Sequence, residues 1–219
     1  MDTSRLAVLI AMQRSGTHFL GSAIGSHPDV KYTGEIFCRN VPRDKSRMVA
    51  GIERVQCGGF EVVCLDVKYN QISPPVEAIL PDVRAVIHLI RRDRLAHYFS
   101  GELHSWRGRN PNAEKGFVPT FDFSLSHFNA LNYRTKWGFD KFRKYETVRL
   151  VYEDLTAGRQ TDTLPDWASE KICKALGVEF VPLEAGTVKS APVRYLEYLR
   201  NVPPEIVERE VVAGWGVGQ

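Results

Sequence analysis

Long hydrophobic runs are missing from this chain of 219 residues. None approaches the ~18 apolar residues of a membrane-spanning helix. The first apolar run begins by Leu6, without the basic segment and longer apolar core of a signal peptide. Cysteine is sparse. Its four copies (Cys38, Cys57, Cys64, Cys173) form no C-x-x-C pair and no cluster with histidine, so no metal site is expected, and free thiols in a reducing cytoplasm are the default. A large excess of one charge is also lacking: 29 Lys and Arg stand against 26 Asp and Glu. That balance gives no broad basic field for nucleic acid. Repeats and low-complexity segments are absent. With 43% hydrophobic and 25% charged residues, the chain reads as a single globular domain over residues 1–219.

One further absence lies inside the most informative segment. The apolar run from Ala7 to Met12 leads into Gln13-Arg14-Ser15-Gly16-Thr17-His18, and a second apolar segment, Phe19 to Ile24, follows. A strand, a tight turn and a helix N-terminus together form an anion site, because free backbone N–H groups converge there with the positive end of the helix dipole. A nucleotide-triphosphate loop of the form G-x-x-x-x-G-K-[ST] places a lysine just before the hydroxyl; here there is no such lysine, and one of the two glycines is gone. The turn is therefore expected to hold a phosphate-like group in another way.

A second strand-like run, Val83 to Leu89, feeds Arg91-Arg92-Asp93-Arg94 and then an apolar helical segment with Ser100 in it. Asp93 sits where a helix N-cap belongs. Arginine's planar fork suits bidentate phosphate recognition, although Arg91 and Arg94 read more simply as a solvated helix start. Further strands are expected at Leu6–Met12, Glu61–Val67, Arg84–Ile90, Val148–Tyr152 and, more weakly, Val30–Thr33. Helical patterns cover Thr17–Ser26, Arg43–Val55, Pro75–Leu80, Asp93–Ser105, Ser124–Tyr145 and Asp166–Leu176. The alternation predicts an α/β, P-loop-like, three-layer fold with a central parallel sheet flanked by helices. Ligands in such folds bind outside the carboxyl ends of the strands, where Gln13–Thr17, Lys68 and Arg92 all fall.

These segments, in this order, resemble the sulfotransferases that use 3′-phosphoadenosine 5′-phosphosulfate (PAPS). The nearest likeness is to the bacterial carbohydrate and glycolipid enzymes of the trehalose and nodulation-factor type. The resemblance implies that Gln13, Arg14, Ser15, Gly16, Thr17 and His18 hold the donor's 5′-phosphosulfate. It implies that Arg92 and Ser100, eight residues apart, grip the 3′-phosphate; the proline frequent two residues after the arginine is here Arg94. Lys189 and Ser190 resemble a C-terminal segment that folds over the nucleotide. Tyr152-Glu153-Asp154-Leu155 is wording widespread in the family, with Glu153 and Asp154 expected to order the turn that follows.

Transfer to a hydroxyl needs a proton acceptor. Glu35, in a Gly-Glu segment after the first helix, is the candidate base. In the trehalose-type relatives the assigned base lies three residues further on, where this chain has Cys38, so Glu35 is alternatively a ligand for acceptor hydroxyls. His104 and His127 are the reserve bases. Lys68, at a strand end, is either a contact for acceptor or sulfuryl oxygens or a surface residue closing its strand. With Glu35 and Arg14 it completes the expected catalytic set.

The stretch from Trp106 to Asp122 is rich in Gly, Pro and Asn and reads as an irregular acceptor-side loop. His97, Tyr98, His104, Trp106, Phe117, Phe121 and His127 flank it, whereas Phe99, Phe123 and Phe128 are assigned to the core. The expected partners are a small-molecule or carbohydrate hydroxyl acceptor and no nucleic acid; the aromatic content permits a homodimer. Two alternatives stay open: a small-molecule kinase with a P-loop, and a catalytically inactive module that binds PAPS or its desulfated product, PAP.

Overall fold

The computed structural model describes residues 1–38, 41–114, 116–156, 162–186 and 194–215. Five parallel strands form the central sheet, in the order β2-β3-β1-β4-β6: β1 (Leu6–Ala11), β2 (Val30–Tyr32), β3 (Val62–Lys68), β4 (Ala85–Ile90) and β6 (Val148–Val151). Strand β1 is central and consists of six consecutive apolar residues, all buried. A parallel strand covered on both faces has no solvent side, so its sequence shows no polar alternation.

The two faces of β1 feed different cores. Ala7, Leu9 and Ala11 pack with α1 (Thr17–Ile24) and α7 (Asp166–Leu176), while Leu6, Val8 and Ile10 pack with α2 (Lys45–Val55), α3 (Pro74–Ile79) and Phe142 of α5 (Leu125–Phe142). The three layers and the parallel sheet are those expected from the alternation of apolar runs. In α1, Phe19, Leu20 and Ile24 are buried, each contributing about 1.5–3 kcal/mol, which fixes the helix whose N-terminus follows the loop. Gly21 lets α1 approach the sheet: a Cβ there would lie 2.1 Å from the Tyr32 ring.

Register aligns the strand ends. Ala11 pairs with Lys68 on one side and Leu89 on the other. The segments leaving β1, β3 and β4 therefore emerge together at the carboxyl edge.

Helix α4 (Arg94–Arg109) starts at Asp93, whose side chain accepts from the Ala96 N–H at 2.8 Å. It carries a third core of Leu95, Phe99 and Leu103 against Phe128, Leu199 and Ile206, with Phe123 partly buried beside them. This core seats a small second sheet of β5 (Phe121–Asp122) and β7 (Leu199–Arg200), and α8 (Pro204–Trp215). Neither two-residue strand was visible in the sequence, because tertiary packing rather than periodicity creates them. The stretch expected to be irregular is shorter at both ends: α4 runs on to Arg109, and Phe121 and Asp122 are strand. Tyr152, expected to close β6, instead opens the short helix α6 (Tyr152–Thr156). Among the described residues no helix is long and apolar enough to cross a membrane.

Candidate functional site

The turn after β1 is held from outside. His97 Nε2 donates to the Gln13 carbonyl at 2.5 Å, and an Arg91 Nη donates to the Arg14 carbonyl at 2.9 Å. Arg14 adopts a left-handed backbone (φ 66°), as does Gly16 (φ 94°). Glycine is required at 16 for a second reason: a Cβ would sit 2.2 Å from the Tyr152 ring. Ser15 and Thr17 are buried. Among the described residues no acceptor is recorded for the N–H groups of Arg14, Ser15, Gly16 or Thr17, as expected at a helix start. Burial, then the neighbouring Arg91 charge, lower the Arg14 pKa; its Nε is buried with no hydrogen-bond partner among the described residues. A cation crowded by cations is stabilised when an anion joins it.

Lys68 leaves the end of β3 and is buried. Its ammonium donates to Thr17 Oγ1 at 2.6 Å, bonds Asp66, and faces Glu35 Oε1 at 3.2 Å. Two hydrogen bonds and an ion pair surround the buried ammonium, so it ties the start of α1 to the sheet edge and is no surface residue. Asp66 is fully buried and also accepts from the Tyr32 hydroxyl at 2.8 Å. The other Glu35 oxygen accepts from the Gln71 amide at 2.9 Å. Burial pulls the Glu35 carboxyl upward, but Lys68 and Gln71 outweigh it and hold its pKa below the ordinary glutamate value. Glu35 is thus a carboxylate at neutral pH, next to the loop.

The turn between β4 and α4 forms the second cluster. Glu153 accepts from the backbone N–H of Arg92 at 3.0 Å and of Asp93 at 3.2 Å, and Asp154 pairs with the Arg92 guanidinium. These two acids therefore shape the turn after β4; the turn that follows them, which they were expected to order, lies outside the described residues. Arg91 was read as solvated and is instead 5% exposed. It lies over the Tyr152 ring at 5.2 Å, with its Nε 3.8 Å from Glu153 and its fork on the loop. Arg94 is half-buried, which lowers its pKa. Arg91, Arg92 and Arg94 each retain a buried nitrogen with no hydrogen-bond partner among the described residues, a costly arrangement that acceptor oxygens would relieve.

Ser100 is buried in α4. His97, Ser100 and His104 have the i, i+3, i+7 spacing of one helical face, the face that meets the loop through His97. Burial, then Arg14, lower the His104 pKa, while Glu35 opposes them, so this reserve base lies within electrostatic reach of both groups. His127 is paired instead with Glu102 at 3.5 Å on a largely exposed surface, and the structure records no contact between it and the loop. Two members of the expected acceptor side belong elsewhere. His97 is buried under the loop, and Tyr98 accepts from the Ser124 N–H at 3.0 Å inside the third core. Trp106 and Phe117 do meet, with ring centroids 5.6 Å apart. Lys189 and Ser190 lie outside the described residues.

No family model matches the chain, and no curated protein matches it in sequence. In structure it is similar to the mouse sulfotransferase SULT7A1, solved complexed with PAP, at a TM-score of 0.50 and 16% identity. The likeness is one of fold. It covers 80% of this chain, which spans 59% of that protein's length. The P-loop-like α/β architecture is therefore shared with a solved sulfotransferase.

Proposed function

We propose that the protein transfers a sulfuryl group from PAPS to a hydroxyl of a small-molecule, carbohydrate or glycolipid acceptor, as the bacterial trehalose and nodulation-factor enzymes it resembles do. The observation that carries this reading is Arg91. Its side chain runs from Glu153, which shapes the Arg92 turn, to the Arg14 carbonyl of the loop, so the two cationic clusters are neighbours on one sheet edge. Two neighbouring cationic clusters suit a donor that carries phosphate at two positions. The unpartnered buried nitrogens of Arg14 and Arg92 fit the oxygen-rich donor.

In this reading the amides of the loop, with Arg14, Ser15 and Thr17, hold the 5′-phosphosulfate. Arg92 and Ser100 hold the 3′-phosphate, and Lys189 and Ser190 close over the nucleotide. The acceptor oxygen attacks sulfur in line, the bond from sulfur to the bridging phosphate oxygen breaks, and the bisphosphate leaves with that electron pair. Glu35 takes the hydroxyl proton. Arg14 and the amides after it stabilise the charge growing on the leaving oxygens, while Lys68 keeps Thr17 and Glu35 in register. The acceptor binds along the outer part of α4 and the segment 106–122, against Trp106 and Phe117. The protein works in the cytoplasm.

Thermal denaturation with added nucleotide tests the assignment. Adenosine 3′,5′-bisphosphate (PAP) without metal is expected to raise the midpoint. Stabilisation by ATP that requires magnesium, with none by the bisphosphate, would contradict the reading and favour a kinase.

A further inference from the structure

The carbonyls of Gln13 and Arg14 are consecutive, and each is bound by a buried side chain from outside the loop: His97 Nε2 at 2.5 Å and an Arg91 Nη at 2.9 Å. In a trans peptide the carbonyl and the N–H of the next residue share a plane and point in opposite directions. Fixing the Gln13 carbonyl towards α4 therefore aims the Arg14 N–H away from it, and fixing the Arg14 carbonyl aims the Ser15 N–H away from Arg91. Two adjacent amides are turned to one side, just ahead of the start of α1, which is the geometry of an anion-binding nest.

The backbone at Arg14 supports this independently. Arg14 and Asn201 are the two non-glycine residues with positive φ among the described residues. A long side chain in that region costs about 1–2 kcal/mol, and such a conformation persists when its surroundings over-determine it. Bonds on the carbonyls either side of the Arg14 Cα supply that determination. His97 suits the task. Burial, then the nearby Arg91 charge, drive its pKa down to about 3, so at neutral pH it is uncharged, and a bond to a carbonyl requires its single proton on Nε2.

We infer that His97 and Arg91 are positioning residues that preset the Arg14 and Ser15 amides to receive the 5′-phosphate end of the nucleotide, a role distinct from contact with that nucleotide. The inference rests on the donor assignment proposed above for the identity of the anion, and on the loop geometry alone for the pinning.

The substitutions His97→Phe, which keeps a ring and removes the donor, and His97→Gln, which restores an N–H of similar reach, separate the possibilities. Binding of adenosine 3′,5′-bisphosphate and of adenosine 3′-monophosphate is measured by calorimetry on wild-type protein and both variants. His97→Phe is expected to weaken the bisphosphate about tenfold, the scale of one hydrogen bond lost with its acceptor left buried. The 3′-monophosphate is expected to change less than twofold, and His97→Gln to recover most of the loss. Equal weakening of both nucleotides, or none of either, overturns the pinning while leaving the donor assignment standing. If wild-type protein binds neither nucleotide, the donor assignment falls, and the crystal structure of His97→Phe decides the pinning without any ligand. A Gln13 carbonyl that has swung round, with Arg14 at negative φ, supports it. An unchanged loop overturns it.

Discussion

Arg14→Ala is expected to lower turnover by about 10²–10³-fold, the range for removing one preorganised donor to developing oxygen charge, and to weaken donor binding by no more than about tenfold. The asymmetry follows from where the side chain sits. Its pKa is lowered by burial and then by Arg91, and its Nε has no partner among the described residues. The energy of pairing it with an anion is therefore largest when negative charge on the leaving oxygens is largest, in the transition state. The substitution leaves the carbonyl that Arg91 holds in place, so the amides keep their direction and still bind the ground-state phosphate. Steady-state kinetics with labelled donor, beside calorimetric affinity for the bisphosphate, measures both quantities. Turnover preserved while affinity falls would remove Arg14 from the transition state. Arg14→Lys is expected to lie between, since it keeps charge without the planar fork.

Gly16→Ala is expected to cost about 2–5 kcal/mol of stability, from two separate sources. A side chain at φ 94° pays about 1–2 kcal/mol. Its Cβ would also lie 2.2 Å from two ring carbons of Tyr152. That ring is buried, edge-on to Phe19 with centroids 6.1 Å apart, and covered by Arg91, so relief requires moving a packed aromatic, about 1–3 kcal/mol. For a chain of this size the midpoint should fall by about 5–15 °C. Gly34→Ala is the control: φ is 67° there too, but no atom lies within 4 Å of the added Cβ, so only the smaller backbone cost applies. Scanning calorimetry on both variants checks this. Equal midpoint losses would mean that Tyr152 yields freely and that the close packing beneath the loop is not what demands glycine.

How much of this was legible in the sequence depended on whether local chemistry or packing decided the matter. The β1–loop–α1 unit was legible because a doubly buried parallel strand has no polar position and because the loop's glycine and hydroxyls are local features. The capping role of Asp93 was legible for the same reason: its side chain accepts from an N–H three residues on. Arg91 was not. A strand-terminal arginine next to two others looks solvated, and nothing local shows that its side chain folds back under a loop 77 positions earlier. His97 was misplaced likewise, because helical spacing puts it on a face without saying what that face meets. Glu153 and Asp154 were noticed for their wording, but nothing local shows that they reach the turn after β4; their partners there lie 60 and more residues upstream. For Lys68 two roles stayed open until Asp66, Glu35 and Thr17 were seen around its ammonium. The pairing of β5 with β7 is a product of the third core, which no two-residue segment encodes.

The most direct measurement is a crystal structure of the wild-type protein with adenosine 3′,5′-bisphosphate bound. The account predicts the 5′-phosphate within hydrogen-bonding distance of the amides of residues 14–17, and the 3′-phosphate on the Arg92 guanidinium and the Ser100 hydroxyl, with Arg91 lying between the two. A bisphosphate seated away from the carboxyl edge of the sheet, or touching one cluster while the other faces solvent, would contradict it.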